Sequence, residues 1–354
     1  MTILLTLDFP PENGGIQRYL DAIVRHTFTG DDQVITGSGP GNLPASDRRF
    51  PCRILRMAFP GQRINKKILL LPMFFQMVRS GNGTKARLIL AGNVYAALVP
   101  WLLSFFMTVK YHVFCYGTEL LPIGNGSLRT MLWRAVLGRA ERVYYLSGAT
   151  LRLLEYAYAC TRCEQWVPKI DLPAFVLENK KWNRTPVQLL SVGRLVPHKG
   201  HATLIEAAAM LADQPEWHLS IVGSGPEEQP LARRIRQLSL TSRIAIRTTV
   251  SDRELTVLYE NADILILPSV TTATAMEGFG IVLLEAMAYG AAIVASRSGG
   301  IEDVLEGCTD GAELVAPGDV PELVEAIRRL IGDEKKRFRM ARAARDLLER
   351  RYVW

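Results

Sequence analysis

Hydrophobic positions fall into short continuous apolar runs separated by longer amphipathic stretches, and the two alternate along most of the chain. Short apolar runs bounded by Gly, Pro, Asn or Asp suit buried strands, whereas apolar residues recurring every three or four positions mark one face of a helix. Strands are predicted near 2–7, 33–36, 53–57, 87–91, 110–116 and 142–146, and again near 187–192, 218–222, 243–247, 263–267, 292–295 and 312–315. Helices are predicted near 201–212, 227–239, 252–260, 280–289 and 319–331, and amphipathic or buried helices between most strands of the first half. Such alternation predicts parallel sheets joined by crossovers and covered by helices on both faces. The expected fold class is α/β with two doubly wound domains, residues 1–171 and 187–354, joined by a linker over 172–186 where the period is lost and prolines gather. A cleft faced by the carboxyl ends of both sheets is the expected ligand site.

Punctuation sharpens these elements. Ser251-Asp-Arg-Glu254 has the spacing of a capping box and predicts a helix start. Gly290 predicts the end of the helix that begins near Gly280, because it can take the left-handed conformation that side chains resist.

Composition agrees with two cores. The 354 residues are 48% hydrophobic and 22% charged, which excludes a disordered chain. Five cysteines form an odd, sparse set that suits a reducing compartment, and Cys160-Thr-Arg-Cys163 supplies only half a tetrahedral ligand set. The opening MTILLTLDFPP reads as a first strand and lacks the basic start and cleavage site of a signal peptide. From Leu88 to Val109 there are 22 consecutive uncharged residues, long enough to span a bilayer. Gly92-Asn93 and Pro100 break that run, and it reads better as strand, helix and strand.

Charge changes the picture more. Residues 1–175 hold 20 Lys and Arg against 11 Asp and Glu, a net of +9, while the remainder nets −2. Between Arg48 and Thr118 there are 11 basic residues and no acidic one, with Arg63, Lys66 and Lys67 beside the apolar run ILLLPMFFQMV. Either this is a solvated basic face, or it meets anionic lipid head groups or an anionic acceptor. Nucleic acid is not expected as a partner, because the apolar content suits a bilayer surface better than a phosphate groove.

Candidate chemistry lies at the strand-to-helix turns. In EGFGIVLLE, Glu277 and Gly278-Phe279-Gly280 approach a helix start and Glu285 lies in its second turn. Backbone N–H groups of Phe279, Gly280, Ile281 and Val282 are expected to be unpaired there, a natural anion site. The two carboxylates can then accept hydroxyls at both ends of an elongated phosphate ester, sugar on one side and ribose on the other. In SVGRLVPHKGH, Arg194 and Lys199 follow a strand and can balance a diphosphate. This is not a Walker loop, since GxxxxGK[ST] is absent. Asn13-Gly14-Gly15 and Gly223-Ser-Gly225 occupy equivalent turns, but neither completes GxGxxG with a following acid, which disfavours an NAD enzyme.

GGIQRY, VGRLVPHKGH, VGSGPEE, ADILILPS, EGFGIVLLEAMAYGAAIVASRSGG and LVAPGDVPELVEAI together resemble glycosyltransferase family 4, the retaining sugar-nucleotide-dependent enzymes of the GT-B fold. The resemblance covers nearly all of the C-terminal half, and the N-terminal half at its first loop and around CYGTEL. It implies two Rossmann-like domains, the first binding acceptor and the second the nucleotide sugar. The opening DFPPENGGIQRYL is similar to bacterial members that mannosylate phosphatidylinositol or extend lipid-linked and cell-surface glycans.

By that resemblance Glu277 lies near the donor sugar, Glu285 meets the ribose, and Arg194 and Lys199 hold the diphosphate. Phe279, Gly280, Ile281 and Val282 then lie by the sugar and phosphate, and Gly14, Gly15 and Gly223 in loops near the donor. One departure is Tyr116, where many relatives have a histidine against the donor sugar; His112 is too far along its strand to substitute and is expected to be structural. Neither metal nor other cofactor is expected, since fixed cations and the helix end take over the role of magnesium.

The implied activity is transfer of a hexosyl group, with retention, to a hydroxyl of a lipid-linked or cell-surface glycan, by an enzyme peripheral at the cytoplasmic membrane face. The alternatives are a soluble transferase using a sugar phosphate or other small acceptor, and a non-catalytic nucleotide-sugar-binding scaffold. UDP, GDP and ADP donors all remain open. Relatives commonly continue past the position of Trp354 into a helix that returns to the first domain, so the resemblance implies a truncated or unusual terminus.

Overall fold

The computed structural model describes residues 1–11, 14–37, 47–57, 66–81, 85–121, 127–211, 213–308 and 310–354. Asn13, Arg63 and the side chain of Lys66, named above, lie outside the described residues. The chain forms two units, residues 1–169 with Trp354, and residues 170–353.

In the first unit the strands are β1 (Thr2–Leu5), β2 (Gln33–Gly37), β3 (Arg53–Met57), β4 (Leu88–Ala91), β5 (Tyr111–Cys115), β6 (Arg142–Tyr145) and β7 (Cys163–Gln165). They make one parallel sheet in the order β3-β2-β1-β4-β5-β6-β7. The strand order reverses between β1 and β4, which opens a crevice at their carboxyl ends. Ile3, Leu4 and Leu5 are all fully buried, as a central strand covered on both faces requires. The helices are α1 (Gly15–Thr27), α2 (Leu70–Arg79), α3 (Leu98–Leu103), α4 (Leu128–Arg139) and α5 (Gly148–Tyr158). The uncharged run from Leu88 is therefore divided among β4, α3 and the approach to β5, and no helix among the described residues is long and apolar enough to cross a membrane.

The second unit repeats the plan. Its strands are β8 (Val187–Val192), β9 (Trp217–Val222), β10 (Ile244–Arg247), β11 (Ile264–Leu267), β12 (Ala292–Ser296) and β13 (Ala312–Val315), in the order β10-β9-β8-β11-β12-β13, all parallel. The helices are α6 (His201–Ala209), α7 (Glu228–Gln237), α8 (Asp252–Asn261), α9 (Ile281–Ala288), α10 (Ile301–Leu305), α11 (Val320–Ile331) and α12 (Glu334–Arg351). Its strand reversal falls between β8 and β11. Trp217, Leu204, Ile266 and Val294 belong to one buried cluster that holds α6 and α11 to the sheet. The capping box at α8 is formed in both directions, and Gly290 ends α9 at φ +61°.

Segment 172–186 packs on the second unit. Leu177 and Trp182 make a small core with Ala341 of α12, and the buried Lys180 ammonium donates to the carbonyls of Ala262 (2.5 Å), Tyr289 (3.0 Å) and Gly290 (2.7 Å). Those carbonyls lie at the ends of α8 and α9, where helices leave acceptors unpaired. Cys160 and Cys163 are free thiols, with Cys163 Sγ donating to the Cys160 carbonyl at 3.5 Å. Among the described residues no group of three or more His, Cys, Asp or Glu could hold a metal ion.

Candidate active site

In the second unit the site grows from the β8/β11 switch point. The turn after β8 must reverse direction and still lie flat against the turn after β11. Gly200 does this at φ +69°, where an added Cβ would stand 1.9 Å from the Pro268 carbonyl oxygen. At Gly223, at φ +147°, an added Cβ would stand equally close to the Gly193 carbonyl oxygen, so the turns after β8 and β9 interlock. Val270 N–H donates to the His198 carbonyl at 2.8 Å, and Gly300 N–H to the Glu277 carbonyl at 2.9 Å. Four strand-end turns are thereby tied to one another.

That framework brings together two side chains 78 positions apart. Lys199 Nζ lies 2.6 Å from Glu277 Oε2, and Ser269 Oγ donates to the same oxygen at 3.1 Å. Both charged side chains are largely out of solvent, 14% exposed for Lys199 and 9% for Glu277. Burial pushes the Glu277 carboxyl up, but the Lys199 charge and the bonds from Lys199 and Ser269 together hold it below the ordinary value. Glu277 is therefore an ionised acceptor near neutral pH, suited to hydroxyl donors and unsuited to giving a proton. Burial and the Lys199 charge depress His198, and they bring His201 down to about 4, so neither adds a cation.

The start of α9 adjoins Glu277. Gly280, at φ +84°, is its N-cap and offers no side-chain acceptor. Leu283 N–H turns back to the Gly280 carbonyl at 2.9 Å, whereas the N–H groups of Phe279, Gly280, Ile281 and Val282 make no hydrogen bond among the described residues. The Phe279 ring is buried and meets Tyr352 edge-on, so that residue offers the site its backbone and not its side chain. Glu285 accepts from the Tyr259 hydroxyl at 2.6 Å, and the Tyr259 ring stacks on Tyr289. Arg194 differs from its expected partner: its side chain is exposed and makes no hydrogen bond or ion pair among the described residues. A cavity of about 560 Å³ lies at the end of β10, lined by Arg247, Thr249, Val250, Arg253 and Val257 among others.

The first unit carries a second polar group at its own switch point. Asp8, after β1, accepts from Asn93 Nδ2 at 3.0 Å and from Gln17 Nε2 at 3.4 Å. Gly14 is the N-cap of α1, and a Cβ there would meet Gln17 Oε1; Gly15 is the first helical residue. Tyr116 is buried, its N–H donates to Glu119 Oε1 at 2.6 Å, and its ring meets Tyr19 edge-on. The hydroxyls of Tyr116 and Tyr19 are both buried without a hydrogen-bond partner among the described residues. Burial raises the Glu119 carboxyl, against the backbone bonds that lower it. His112 takes the structural place expected of it, bonded through Nδ1 to the Tyr144 hydroxyl at 3.0 Å.

Sequence reasoning did not single out Ser269, Tyr259, Asp8, Asn93 or Glu119. Asp8 and Asn93 follow predicted strands directly, a position from which they could have been proposed. Ser269 and Tyr259 matter only through partners distant in sequence.

Two parallel-sheet units, each with its strand order reversing at a central switch point, are the arrangement of the GT-B fold. Residues 176–347, nearly the whole second unit, match the family model of glycosyl transferases group 1. Over 99% of its length the chain is 27% identical to 94% of the GDP-mannose-dependent alpha-(1-6)-phosphatidylinositol monomannoside mannosyltransferase of Mycolicibacterium smegmatis. Among solved structures it is similar to a sucrose-phosphate synthase from Thermosynechococcus elongatus (TM-score 0.79, 21% identity, covering 100% of this chain and 95% of that one). A second is Anabaena HepE in complex with UDP-glucose, with TM-score 0.79 and 21% identity over 99% of this chain and 95% of that one.

Proposed function

We propose that the chain is a retaining glycosyltransferase of family 4 that moves a hexosyl group from a nucleotide diphosphate sugar to a hydroxyl of a lipid-linked or cell-surface glycan, at the cytoplasmic face of a membrane. The observation that carries this reading is the buried Lys199–Glu277 pair beside an uncapped helix start. An ammonium and four unpaired N–H groups suit a diphosphate whose charge grows as the glycosidic bond breaks. Glu277, ionised beside them, accepts sugar hydroxyls, and Glu285, oriented by Tyr259, accepts those of the ribose. Exposed Arg194 turns inward onto the phosphates when donor binds. The cavity at the end of β10 takes the base.

With these fixed positive groups the diphosphate needs no metal to leave. Retention proceeds without a covalent sugar–enzyme intermediate, since Glu277 is committed to Lys199 and Ser269. In the first unit Tyr116, Gly14 and Gly15 meet sugar and acceptor hydroxyls, with the orphaned Tyr116 hydroxyl as a donor. GDP-mannose is the donor to try first, because the mycobacterial relative is named for it, and a phosphatidylinositol mannoside is the corresponding acceptor. The test is transfer or hydrolysis of GDP-mannose, UDP-glucose and ADP-glucose by purified protein. Turnover that is lost in Glu277→Ala with the fold retained supports catalysis. Tight binding without turnover on any acceptor favours the scaffold, and transfer only to a sugar phosphate favours the soluble enzyme. Proton NMR of the new anomeric centre decides retention.

A further inference from the structure

Helix α2 and the turn after α3 expose apolar side chains that a solvated surface does not need. Ile68, Leu71, Phe75 and Val78 recur at helical spacing and all lie at the surface, Leu71 with 62% of its area open. Helix α3 packs against α2, and the turn that follows it exposes Phe105 and Phe106, the latter 80% open. Arg139 of α4 holds this turn: its guanidinium lies 4.5 Å from the Phe105 ring and donates to the Ser104 carbonyl at 2.8 Å. The aromatic side chains are thus presented by braced backbone.

The charges around this patch are predominantly basic, and the exposed Glu141 just after α4 is paired with Lys110 at 3.2 Å. Lys67, Arg79, Lys85, Arg87 and Arg139 are exposed on the same helices or beside them, and no acidic residue occurs from Arg48 to Thr118. Self-association through such a face would set basic against basic across a two-fold axis, which disfavours a second copy as its occupant. An anionic bilayer satisfies both halves of the pattern, because head-group phosphates meet the cations while Phe and Leu side chains enter the acyl boundary.

We propose that the first unit docks on anionic membranes through this face, with Leu71, Phe75, Val78, Phe105 and Phe106 entering the bilayer boundary and Lys67, Arg79 and Arg139 against the head groups. The inference rests on the proposed function only for the nature of the partner, a membrane that holds the acceptor.

The experiment is co-sedimentation of the full chain with vesicles of mixed phosphatidylglycerol and phosphatidylcholine, compared with pure phosphatidylcholine. Binding is expected to the anionic vesicles, to weaken with salt, and to fall about tenfold for Phe75→Ser, which removes one aromatic from the boundary, and by more for Phe105→Ser with Phe106→Ser, which removes two. Arg79→Glu is expected to lower it by at least fivefold at low salt. Met210→Ser, an equally exposed change in the second unit, is expected to leave it unchanged. Failure to bind overturns the proposal, as does equal loss with Met210→Ser, or dimerisation abolished by the Phe variants without vesicle binding. Donor hydrolysis measured without vesicles should not respond to the Phe variants, so a fault in the transferase reading and a fault in the docking face give different results.

Discussion

Replacing Lys199 with Met removes the one cation that contacts the Glu277 carboxylate among the described residues, while keeping the length of the stem. Among the described residues the Ser269 hydroxyl, 3.1 Å away, would then be left to answer a carboxylate whose side chain is 9% exposed. Removing one partner of a buried pair costs about 3–5 kcal/mol, and the Ser269 bond argues for the low end, about 3 kcal/mol. The pH dependence separates this from a packing defect. In the native protein Glu277 is held below its unfolded value, so its contribution is fully present above the unfolded pKa and is lost as pH falls through the folded one. In Lys199→Met burial acts almost unopposed and raises the carboxyl, which reverses the sign: the variant regains stability as pH falls and the group takes up a proton. The gap between the two proteins is therefore expected to be widest near pH 7 and to narrow toward the unfolded carboxyl pKa of about 4.3. Native-state hydrogen exchange in peptides covering β8 and β11, corrected for intrinsic rates, reads the stability of the second unit alone. A loss below about 1 kcal/mol, or one equal at both ends of the pH range, would refute the buried-pair reasoning.

Other consequences are as specific. Glu277→Gln keeps the shape and the Ser269 contact but weakens acceptance of sugar hydroxyls and leaves the Lys199 charge without its carboxylate, and is expected to lower kcat by about a hundredfold or more and to lower the melting temperature as well. Gly200→Ala puts a side chain on left-handed backbone against the Pro268 carbonyl, and is expected to cost at least about 2 kcal/mol in thermal or urea unfolding. Tyr259→Phe removes a 2.6 Å bond to Glu285 and is expected to weaken nucleotide-sugar binding about tenfold by calorimetry, with kcat nearly kept. Lys180→Met leaves the carbonyls of Ala262, Tyr289 and Gly290 unanswered, and is expected to destabilise the second unit by about 2 kcal/mol without changing donor affinity.

The elements were legible where burial on both faces forces continuous apolar runs. ILIL at 264–267 and AIVAS at 292–296 can be little else than central strands, and their predicted bounds differ from those observed by one residue. The short edge strand β7, Cys-Glu-Gln, carries no such run, since it is exposed on much of its surface and paired on one side only. Helix α12 escaped for the opposite reason. EKKRFRMARAARDLLERR is dominated by charge, and its apolar stripe shows only once Met340, Ala341, Ala344 and Leu348 are seen buried. Within the site, Lys199 and Glu277 were named by the turns that bear them, but their contact follows from β8 and β11 being neighbours, which strand order alone determines. Arg194 was expected to share the role of Lys199, and the geometry separates them: one largely buried and paired, the other exposed.

The central claim is that an activated sugar's diphosphate rests against Lys199 and the open start of α9. A crystal structure of the protein with GDP-mannose, or with the nucleotide sugar that binds best, tests it most directly. The account requires diphosphate oxygens within hydrogen-bond distance of Lys199 Nζ and of N–H groups among Phe279, Gly280, Ile281 and Val282, with Glu277 against sugar hydroxyls. A diphosphate bound elsewhere, or bound there with Lys199 turned away from it, would contradict the account.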